Sequence, residues 1–358
     1  MTARSETVLE RPDDVIGGRP QAAKHVLRLL SDEPLVDMTG FDWSDVRAVA
    51  ERHHLMVRLR ESFERRGIPV SDRFEEAARR QQRRAKRIHA LAQQIGEACE
   101  RLEVRHAFLK LGERHPDAGR DIDVLIGSRD PNIDAQLLDR IPAIARTRRL
   151  DHRLAGTSLF TVPTYDTEID VHHRRLGRLG EHTREADLLL RRRRVITLGS
   201  AAFYVPSRED ELLLRALTQF ARLPCLRLSD VHETIRVVKS GTLDWHTIVA
   251  EADATGLLPS LSCHLHYVDE IHRQVFERPL LDELIRGLLL HGSWGPVVWR
   301  NGGYRFSAAR VSGPIQVQQL RTHARRGDWS ATGRTLLLPL VAAAAAWRRF
   351  KRRWSQRS

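Results

Sequence analysis

Hydrophobic positions in the first hundred residues recur at intervals of three and four, which predicts helices. The longest stripe runs from Ser71 to about Leu102, and Ser71 is the expected N-cap of that helix. Shorter helices are predicted near Ala22–Leu30 and directly after Asp42. Residues 1–20 are charged and lack this periodicity, so we expect a disordered tail there.

The pattern changes to strand-like alternation in the middle of the chain. Polar and apolar residues alternate over Arg120–Ile126 and over Thr167–His173. A turn composition before Thr167 predicts a hairpin between Ser158–Val162 and that second run. A strand is also expected over Val104–Leu111, a helical crossover from Asn132 to about Ala145, and a β segment within residues 191–205.

Helical patterns return after Pro206-Ser207, where Ser207 is a predicted cap. Turn residues interrupt the pattern after residue 290, and Thr335–Arg353 is expected to form a final helix with a basic end. The sequence therefore predicts an α+β fold. Its parts are a tail (1–20), an N-terminal helical region (21–103), an α/β core (104–205), a C-terminal helical region (206–290), and a loop-rich segment with a basic terminal helix (291–358).

The 358 residues carry a formal net charge of +13, which suits anionic partners. Composition alone favours the alternative that this arginine-rich charge is only a solvated surface. Cys99, Cys225 and Cys263 are far apart and odd in number, which fits buried thiols in a reducing cytoplasm. The first residues lack the apolar run of a secretory signal. The longest apolar stretch, Thr335–Trp347, is shorter than the roughly 20 residues needed to cross a bilayer, so we expect a cytoplasmic protein without a membrane span.

Carboxylates on the two alternating runs form the strongest chemical signal. Asp121 and Asp123 project from one face of their strand, and Glu168, Asp170 and His172 share one face of theirs. Pairing the strands with these faces aligned would gather at least three acids. Two carboxylates about 4 Å apart repel by about 4 kcal/mol at an effective dielectric of 20, and a hard divalent cation removes that repulsion. The pattern thus indicates a metal site.

Several motifs, taken in order, resemble the bacterial nucleotidyltransferase-like family of the polymerase-beta nucleotidyltransferase superfamily. They are Phe108–Gly112, the ten residues between Lys110 and Asp121, the Asp-Ile-Asp-Val-Leu-Ile run and Glu168–His173. The similarity extends to Phe41-Asp42-Trp43 and Ala50–His54 upstream, and to Pro206–Leu214, Leu228–Val231 and Asp244-Trp245 downstream. The resemblance implies a polymerase-beta-like nucleotidyltransferase core, a small mixed sheet with helices, between two helical regions.

The resemblance also implies a reaction. A nucleoside monophosphate would move from a nucleoside triphosphate, such as ATP, to a hydroxyl of a small-molecule or protein acceptor, with release of pyrophosphate. Asp121, Asp123 and Asp170 are the predicted catalytic residues and ligands of two Mg²⁺ (or Mn²⁺) ions, and Glu168 is the second-choice ligand in place of Asp170 or beside it.

Four residues near the acids are predicted to contact substrate: Lys110, Gly112, Arg120 and His172. Three of them have an alternative. Lys110 is equally well explained as a strand-end lysine that extends to solvent, and Arg120 is slightly favoured as an ion-pair partner of one of the two aspartates that follow it. His172 would touch the acceptor, orient a carboxylate, or be a buried histidine with satisfied hydrogen bonds.

One position departs from the family pattern. Family members usually carry glycine directly after the lysine, where the backbone approaches phosphate closely, and here Leu111 stands there before Gly112. A second hypothesis is therefore a catalytically weakened fold that acts as a basic binding module for nucleic acid or an anionic surface. The retention of all three aspartates favours the enzyme, so nucleic acid is a possible but less favoured partner.

Overall fold

The structure is a computed structural model that describes residues 20–31, 33, 42–130, 132–145, 150–222, 225–289 and 294–355. The predicted disordered tail lies outside these residues except for its last position. The N-terminal region is helical, as the sequence predicts. Its helices are α1 (Pro20–Leu30), α2 (Trp43–Arg52), α3 (Met56–Arg65) and α4 (Asp72–Arg101).

Two of these helices begin at the caps that the sequence indicates. The Asp42 carboxylate accepts hydrogen bonds from the backbone N–H groups of Ser44 and Asp45. The Ser71 hydroxyl accepts one from the N–H of Phe74. Each cap satisfies N–H groups that have no partner within the helix, which fixes where the helix starts.

The middle of the chain is a mixed sheet with short helices and a separate ribbon. Its elements are β1 (His106–Leu109), α5 (Leu111–Arg114), β2 (Asp121–Ile126), α6 (Ile133–Leu137), β3 (Ile144–Ala145), α7 (Leu150–Ala155), β4 (Thr157–Val162), β5 (Thr167–His173), α8 (Thr183–Arg192), β6 (Arg194–Leu198) and β7 (Ala201–Val205). The sheet order is β1-β2-β5-β4-β3, and only the β2–β5 pair is parallel. Strands β6 and β7 pair as a two-stranded ribbon.

The predicted β4–β5 hairpin is present, but the predicted helical crossover from Asn132 to Ala145 is wrong in extent. Helix α6 ends at Leu137, and the chain then forms the edge strand β3. Pro142 explains why the helix cannot continue to Ala145, because proline lacks the N–H that a helix interior needs and disfavours helical backbone at the residue before it.

The remainder of the chain is mostly helical. Its elements are α9 (Arg208–Arg222), β8 (Cys225–Leu226), α10 (Leu228–Lys239), α11 (Trp245–Thr255), α12 (Leu258–Phe276), α13 (Glu283–Leu289), β9 (Val298–Arg300), β10 (Gly303–Arg305), α14 (Ala308–Arg325) and α15 (Trp329–Ser355). The segment after residue 290 contains two long helices, of which only the second was predicted. No helix among the described residues is long and apolar enough to cross a membrane.

Three clusters of buried apolar side chains hold these elements together. The first joins α1–α3 and the start of α4 to α10, α12 and α14. The second packs the rest of α4 and the β6–β7 ribbon on one face of the sheet. The third packs α8, α9 and α11–α13 on the opposite face. The helical regions before and after the sheet therefore share a core.

A buried guanidinium connects α3 to the segment between α5 and β2. The Arg58 side chain, 10% exposed, forms ion pairs with Asp117, 3.4 Å from Nε to Oδ2, and with Glu233 of α10. It also donates hydrogen bonds to the backbone carbonyls of Glu113 and His115. Burial lowers the pKa of Arg58 to about 10, so the side chain stays charged at neutral pH.

Two further contacts complete this buried network. The Asp117 carboxylate accepts hydrogen bonds from the backbone N–H groups of Val57 and Arg58, in the first turn of α3. Arg215 of α9 pairs with Glu113 at 3.1 Å, and both side chains are less than 5% exposed. The network thereby fixes the segment that leads into β2 against helices that precede and follow the sheet in the chain.

We expect Arg58→Met to destabilise the fold by about 3–5 kcal/mol, because it removes the cation that Asp117 and Glu233 share in a buried site. The matched control is Arg80→Met, which removes an arginine that is 58% exposed and pairs at the surface. The control should cost less than about 1 kcal/mol. Urea unfolding of the two variants measures the difference, and equal losses would contradict the role assigned to Arg58.

Candidate active site

The parallel pairing of β2 and β5 brings the predicted acids together. Asp121 lies opposite Glu168, and Asp123 lies opposite Asp170. Residues aligned in a parallel pair project from the same face of the sheet, so these side chains share one surface. Leu125 projects from this face too and packs in the cluster that includes α8 and α9. The acids therefore lie at the N-terminal end of β2, outside the part of this face that the apolar cluster covers.

The tightest group of potential ligands is Asp123, Asp170 and His172, whose ligand atoms lie within 4.8 Å of one another. Asp123 is only 3% exposed, and its Oδ1 lies 3.6 Å from His172 Nε2. The other ring nitrogen of His172 lies 3.4 Å from the Thr157 hydroxyl on β4, which orients the ring. Two carboxylates suit Mg²⁺ or Mn²⁺, and the imidazole adds a donor that transition metals accept. The donor set fits a divalent cation.

Asp121 and Glu168, also predicted as metal ligands, lie outside this group of three. The Asp121 carboxylate contacts Arg114, with 3.3 Å between Oδ1 and Nη1. Their roles as ligands stay predictions. Conversely, His172 was predicted to contact substrate and not metal. Its position on the same strand face as Asp170 was the feature that could have indicated a metal ligand.

Lys110 occupies the turn between β1 and α5 in a left-handed backbone conformation, with φ of 67°. This conformation is uncommon for a residue with a side chain, and such residues cluster at functional sites. The ammonium group lies 3.6 Å from Asp123 Oδ2. Lys110 therefore supplies a positive charge beside the most buried carboxylate of the group.

Arg114, which sequence analysis did not consider, occupies the position expected for Arg120. Arg120 is exposed and precedes Asp121 directly, so in an extended chain its side chain projects to the opposite face. No ion pair of Arg120 occurs with any carboxylate in the described parts of the chain. Arg114 instead lies over Gly119, where an added Cβ would stand 1.6 Å from its Nη1. The absence of a side chain at Gly119 lets Arg114 reach Asp121.

The two residues after Lys110 pack into the protein. Leu111 is 8% exposed, belongs to the cluster beneath the sheet, and forms part of the wall of a small cavity beside Asp121 and Asp123. At Gly112 an added Cβ would lie 2.6 Å from Ile196 Cδ1 on β6. This close packing accounts for glycine at position 112 independently of any contact with phosphate.

Arg114 also lines a second cleft, between α2, α5 and the start of α10. Its lining carries guanidinium and carboxylate groups in equal number, from Arg58, Arg114 and Arg227 and from Glu113, Asp230 and Glu233. His54 lies in the same cleft, where burial, and then the charges of nearby arginines, lower its pKa to about 3. The His54 side chain is thus neutral at physiological pH.

Three of the six basic residues on the polar face of α4 contact other groups of the protein. Arg79 pairs with Glu75, Arg80 with Glu51, and Arg84 donates a hydrogen bond to the carbonyl of Gly119. These contacts favour a structural and solvated role for the run of arginines over a surface that grips nucleic acid.

A more spacious cavity, of about 450 Å³, lies at the far end of β2 beside Gly127. Its described lining residues include two carboxylates, Glu103 and Asp187. Asp187 forms a bidentate ion pair with Arg174. This cavity contains no cluster of acids comparable to Asp123 and Asp170. The carboxylate group on β2 and β5 is therefore the better candidate active site.

The chain belongs to a family described as uncharacterised nucleotidyltransferase, whose model matches residues 39–273. The matched region covers α2–α4, the sheet with its carboxylates, α8–α11 and most of α12, and it leaves out α1. The family assignment agrees with the resemblance in the sequence and with the observed α+β fold. A search of curated proteins gives no match.

Solved structures with similarity to the chain are two forms of a tRNA-processing enzyme. The apo form I is 13% identical, with a TM-score of 0.26, over 74% of this chain and 66% of that one. The apo form 2 is 11% identical, with a TM-score of 0.24, over 68% of this chain and 71% of that one. The chain thus spans about two thirds of the enzyme it matches.

We expect Mn²⁺ or Mg²⁺ to raise the thermal midpoint, because a cation held by Asp123, Asp170 and His172 stabilises only the folded state. At a metal concentration about 100-fold above Kd the gain is about 2.7 kcal/mol. Asp123→Asn and His172→Gln should each reduce it, and Asp139→Asn, an exposed acid elsewhere, should not. Differential scanning calorimetry tests this, and an equal metal effect in all variants would refute the site.

Proposed function

We propose that this chain is a metal-dependent nucleotidyltransferase with a polymerase-beta-like core. It would transfer a nucleoside monophosphate from a nucleoside triphosphate to a hydroxyl of a small-molecule or protein acceptor and release pyrophosphate. The observation that carries the proposal is the in-register pairing of Asp123 with Asp170, which with His172 forms a compact ligand group on neighbouring strands. Membership of a nucleotidyltransferase family supports it.

Asp123, Asp170 and His172 are the residues that would hold the cation, with Asp121 and Glu168 as further candidates at the same edge. A bound Mg²⁺ or Mn²⁺ would neutralise phosphate charge and lower the pKa of the acceptor hydroxyl. Strands are suitable supports for this group, since ladder hydrogen bonds fix the separation of the carboxylates before substrate arrives.

Two cations beside the acids are suited to the triphosphate. Lys110 Nζ and the Arg114 guanidinium lie within 3.6 Å and 3.3 Å of Asp123 and Asp121, at the edge of the cavity that these aspartates line. Both side chains are mostly buried, at 13% and 19% exposure, where a charge interacts more strongly with phosphate than it would in water. We assign them to phosphate contacts.

In the proposed reaction the acceptor oxygen forms a bond to the α-phosphorus, while the bond from that phosphorus to the bridging oxygen breaks. Pyrophosphate leaves with the bonding electron pair, and the hydroxyl proton passes to a carboxylate, for which Asp170 is the candidate. Positioning and charge stabilisation supply the catalysis, as is general for phosphoryl transfer, and no covalent enzyme intermediate is required.

We expect Asp123→Asn and Asp170→Asn each to lower pyrophosphate formation by at least about 100-fold, because the cation that balances the charge of the transition state would lose a ligand. The assay incubates the protein with a nucleoside triphosphate, Mg²⁺ or Mn²⁺, and a panel of hydroxyl acceptors. Asp139→Asn serves as the control that keeps activity. Activity that survives both site variants would exclude this carboxylate group as the catalytic centre.

The binding of nucleotide tests the departure at Leu111. Because this side chain packs in the apolar cluster, we expect the unaltered protein to bind a non-hydrolysable ATP analogue with Mg²⁺. Leu111→Gly and the milder Leu111→Ala should then change Kd by less than about tenfold, while removal of the buried side chain lowers stability by about 2–5 kcal/mol. Calorimetry measures both quantities.

Two results would contradict this expectation in different ways. Binding only by the Leu111 variants would show that the leucine closes the nucleotide site. Binding by neither form, together with salt-sensitive binding of the intact protein to nucleic acid, would favour the basic binding module over the enzyme.

A further inference from the structure

The last helix presents large apolar side chains to solvent. In α15, Trp329 is 73% exposed, Leu336 58%, Leu340 66% and Trp347 66%. Together with the exposed Leu337, Ala343 and Ala344, these residues recur at spacings of three, four and seven. At 100° per residue they fall within about a third of the helix circumference. They form a continuous apolar stripe, here named the α15 stripe.

The opposite side of the same helix is packed against the protein. Ala331, Thr335 and Leu338 are buried, and α15 packs against α14. The opposite side of the helix therefore accounts for its packing against the protein, and the α15 stripe takes no part in that packing. Single apolar residues scattered over a surface are normal in soluble proteins. A contiguous apolar stripe is instead typical of a binding surface.

Basic residues follow the stripe immediately. The helix continues to Ser355 through Arg348-Arg349-Phe350-Lys351-Arg352-Arg353-Trp354, which holds five cations in six positions and no acid. Acidic residues are also absent from Trp329 to Ser355, so nothing within the helix neutralises this charge. Exposed leucine, tryptophan at two points and a cationic end are the composition of helices that lie in the interface of an anionic bilayer.

We propose that α15 binds the surface of a membrane rich in anionic lipids, with the α15 stripe inserted at the level of the headgroups and the basic end against lipid phosphates. The helix would lie in the plane of the membrane. It is not apolar enough to span one. This inference is independent of the proposed nucleotidyl transfer, because α15 contributes no residue to the carboxylate site.

Charge distinguishes this partner from two others. A second copy of the chain seated on the stripe through its own α15 would cover the apolar side chains, but that helix has no acidic residue to pair with the five cations. Nucleic acid would satisfy the cations but would leave the leucines and Trp347 in water. An anionic lipid surface satisfies both the apolar stripe and the basic end.

Flotation of the full chain with lipid vesicles tests the proposal. We expect the protein to float with vesicles that contain phosphatidylserine and to remain in solution with pure phosphatidylcholine. Each basic residue near such a surface adds to the attraction, so replacing all five by glutamine should weaken binding by at least about 100-fold. Raising the salt concentration from about 0.1 M to about 1 M should have a similar effect, since the Debye length falls to about 3 Å.

The apolar contribution is tested by Leu336→Gln/Leu340→Gln/Trp347→Gln, which should also abolish flotation. Matched controls are Leu284→Gln/Leu288→Gln/Val195→Gln, which removes exposed apolar residues elsewhere, and replacement of Arg83, Lys86 and Arg87 by glutamine on α4. Both controls should bind vesicles as the unaltered protein does. Unchanged circular dichroism and thermal midpoints establish that all variants fold.

Three results would overturn the proposal. One is the absence of flotation with anionic vesicles. A second is a concentration-dependent dimer, detected by sedimentation, that only the stripe variant abolishes, which would make the stripe a self-association surface. The third is vesicle binding that the stripe variant retains in full, which would reduce the interaction to nonspecific charge.

Discussion

The register of one parallel strand pair determines where the chemistry of this protein can occur. Strands β2 and β5 align Asp123 with Asp170. A slip of one residue would turn Asp170 to the opposite face and place Ile169 or Val171 beside Asp123, which buries the acid against the apolar cluster. Those two residues and Ile122 and Val124 pack beneath the sheet, so the apolar side of each strand holds the polar side in place. The packing of the apolar face and the geometry of the carboxylate site thus depend on the same strand register.

Positively charged side chains accompany the carboxylates both at the site and deeper in the protein. Lys110 and Arg114 lie directly beside Asp123 and Asp121. Behind them, Arg58 and Arg215 neutralise Asp117 and Glu113 in pairs that are almost fully buried. Such pairs contribute little net stability compared with apolar packing, but an unpaired member is costly, and this cost enforces a single arrangement. The segment between α5 and β2, residues 115–120, consequently has a defined position although none of its residues is helical.

Features governed by local rules could be predicted from the sequence. Asp42 and Ser71 cap helices as expected, and alternation located the strands that carry the acids. Features that depend on distant contacts could not. The partner of Asp121 is Arg114 instead of its neighbour Arg120, because strand geometry sends adjacent side chains to opposite faces. The sequence pattern also failed to predict α14, since Gly313 and Pro314 interrupt its helical pattern. His172 was placed on the correct face, but its distance to Asp123 required the register.

The first apolar cluster has a consequence for synthesis of the chain. It unites Ala22, near the beginning, with Ile315, close to the end. On the ribosome, the apolar sides of α1–α3 emerge long before α10, α12 and α14 exist to cover them. At about 5–20 residues per second, this interval lasts roughly 10–50 s. During it the nascent helices expose side chains such as Leu59 and Phe63 that are fully enclosed in the finished protein. The chain therefore requires protection by a chaperone or by transient contacts among its own first helices until its final third has been made.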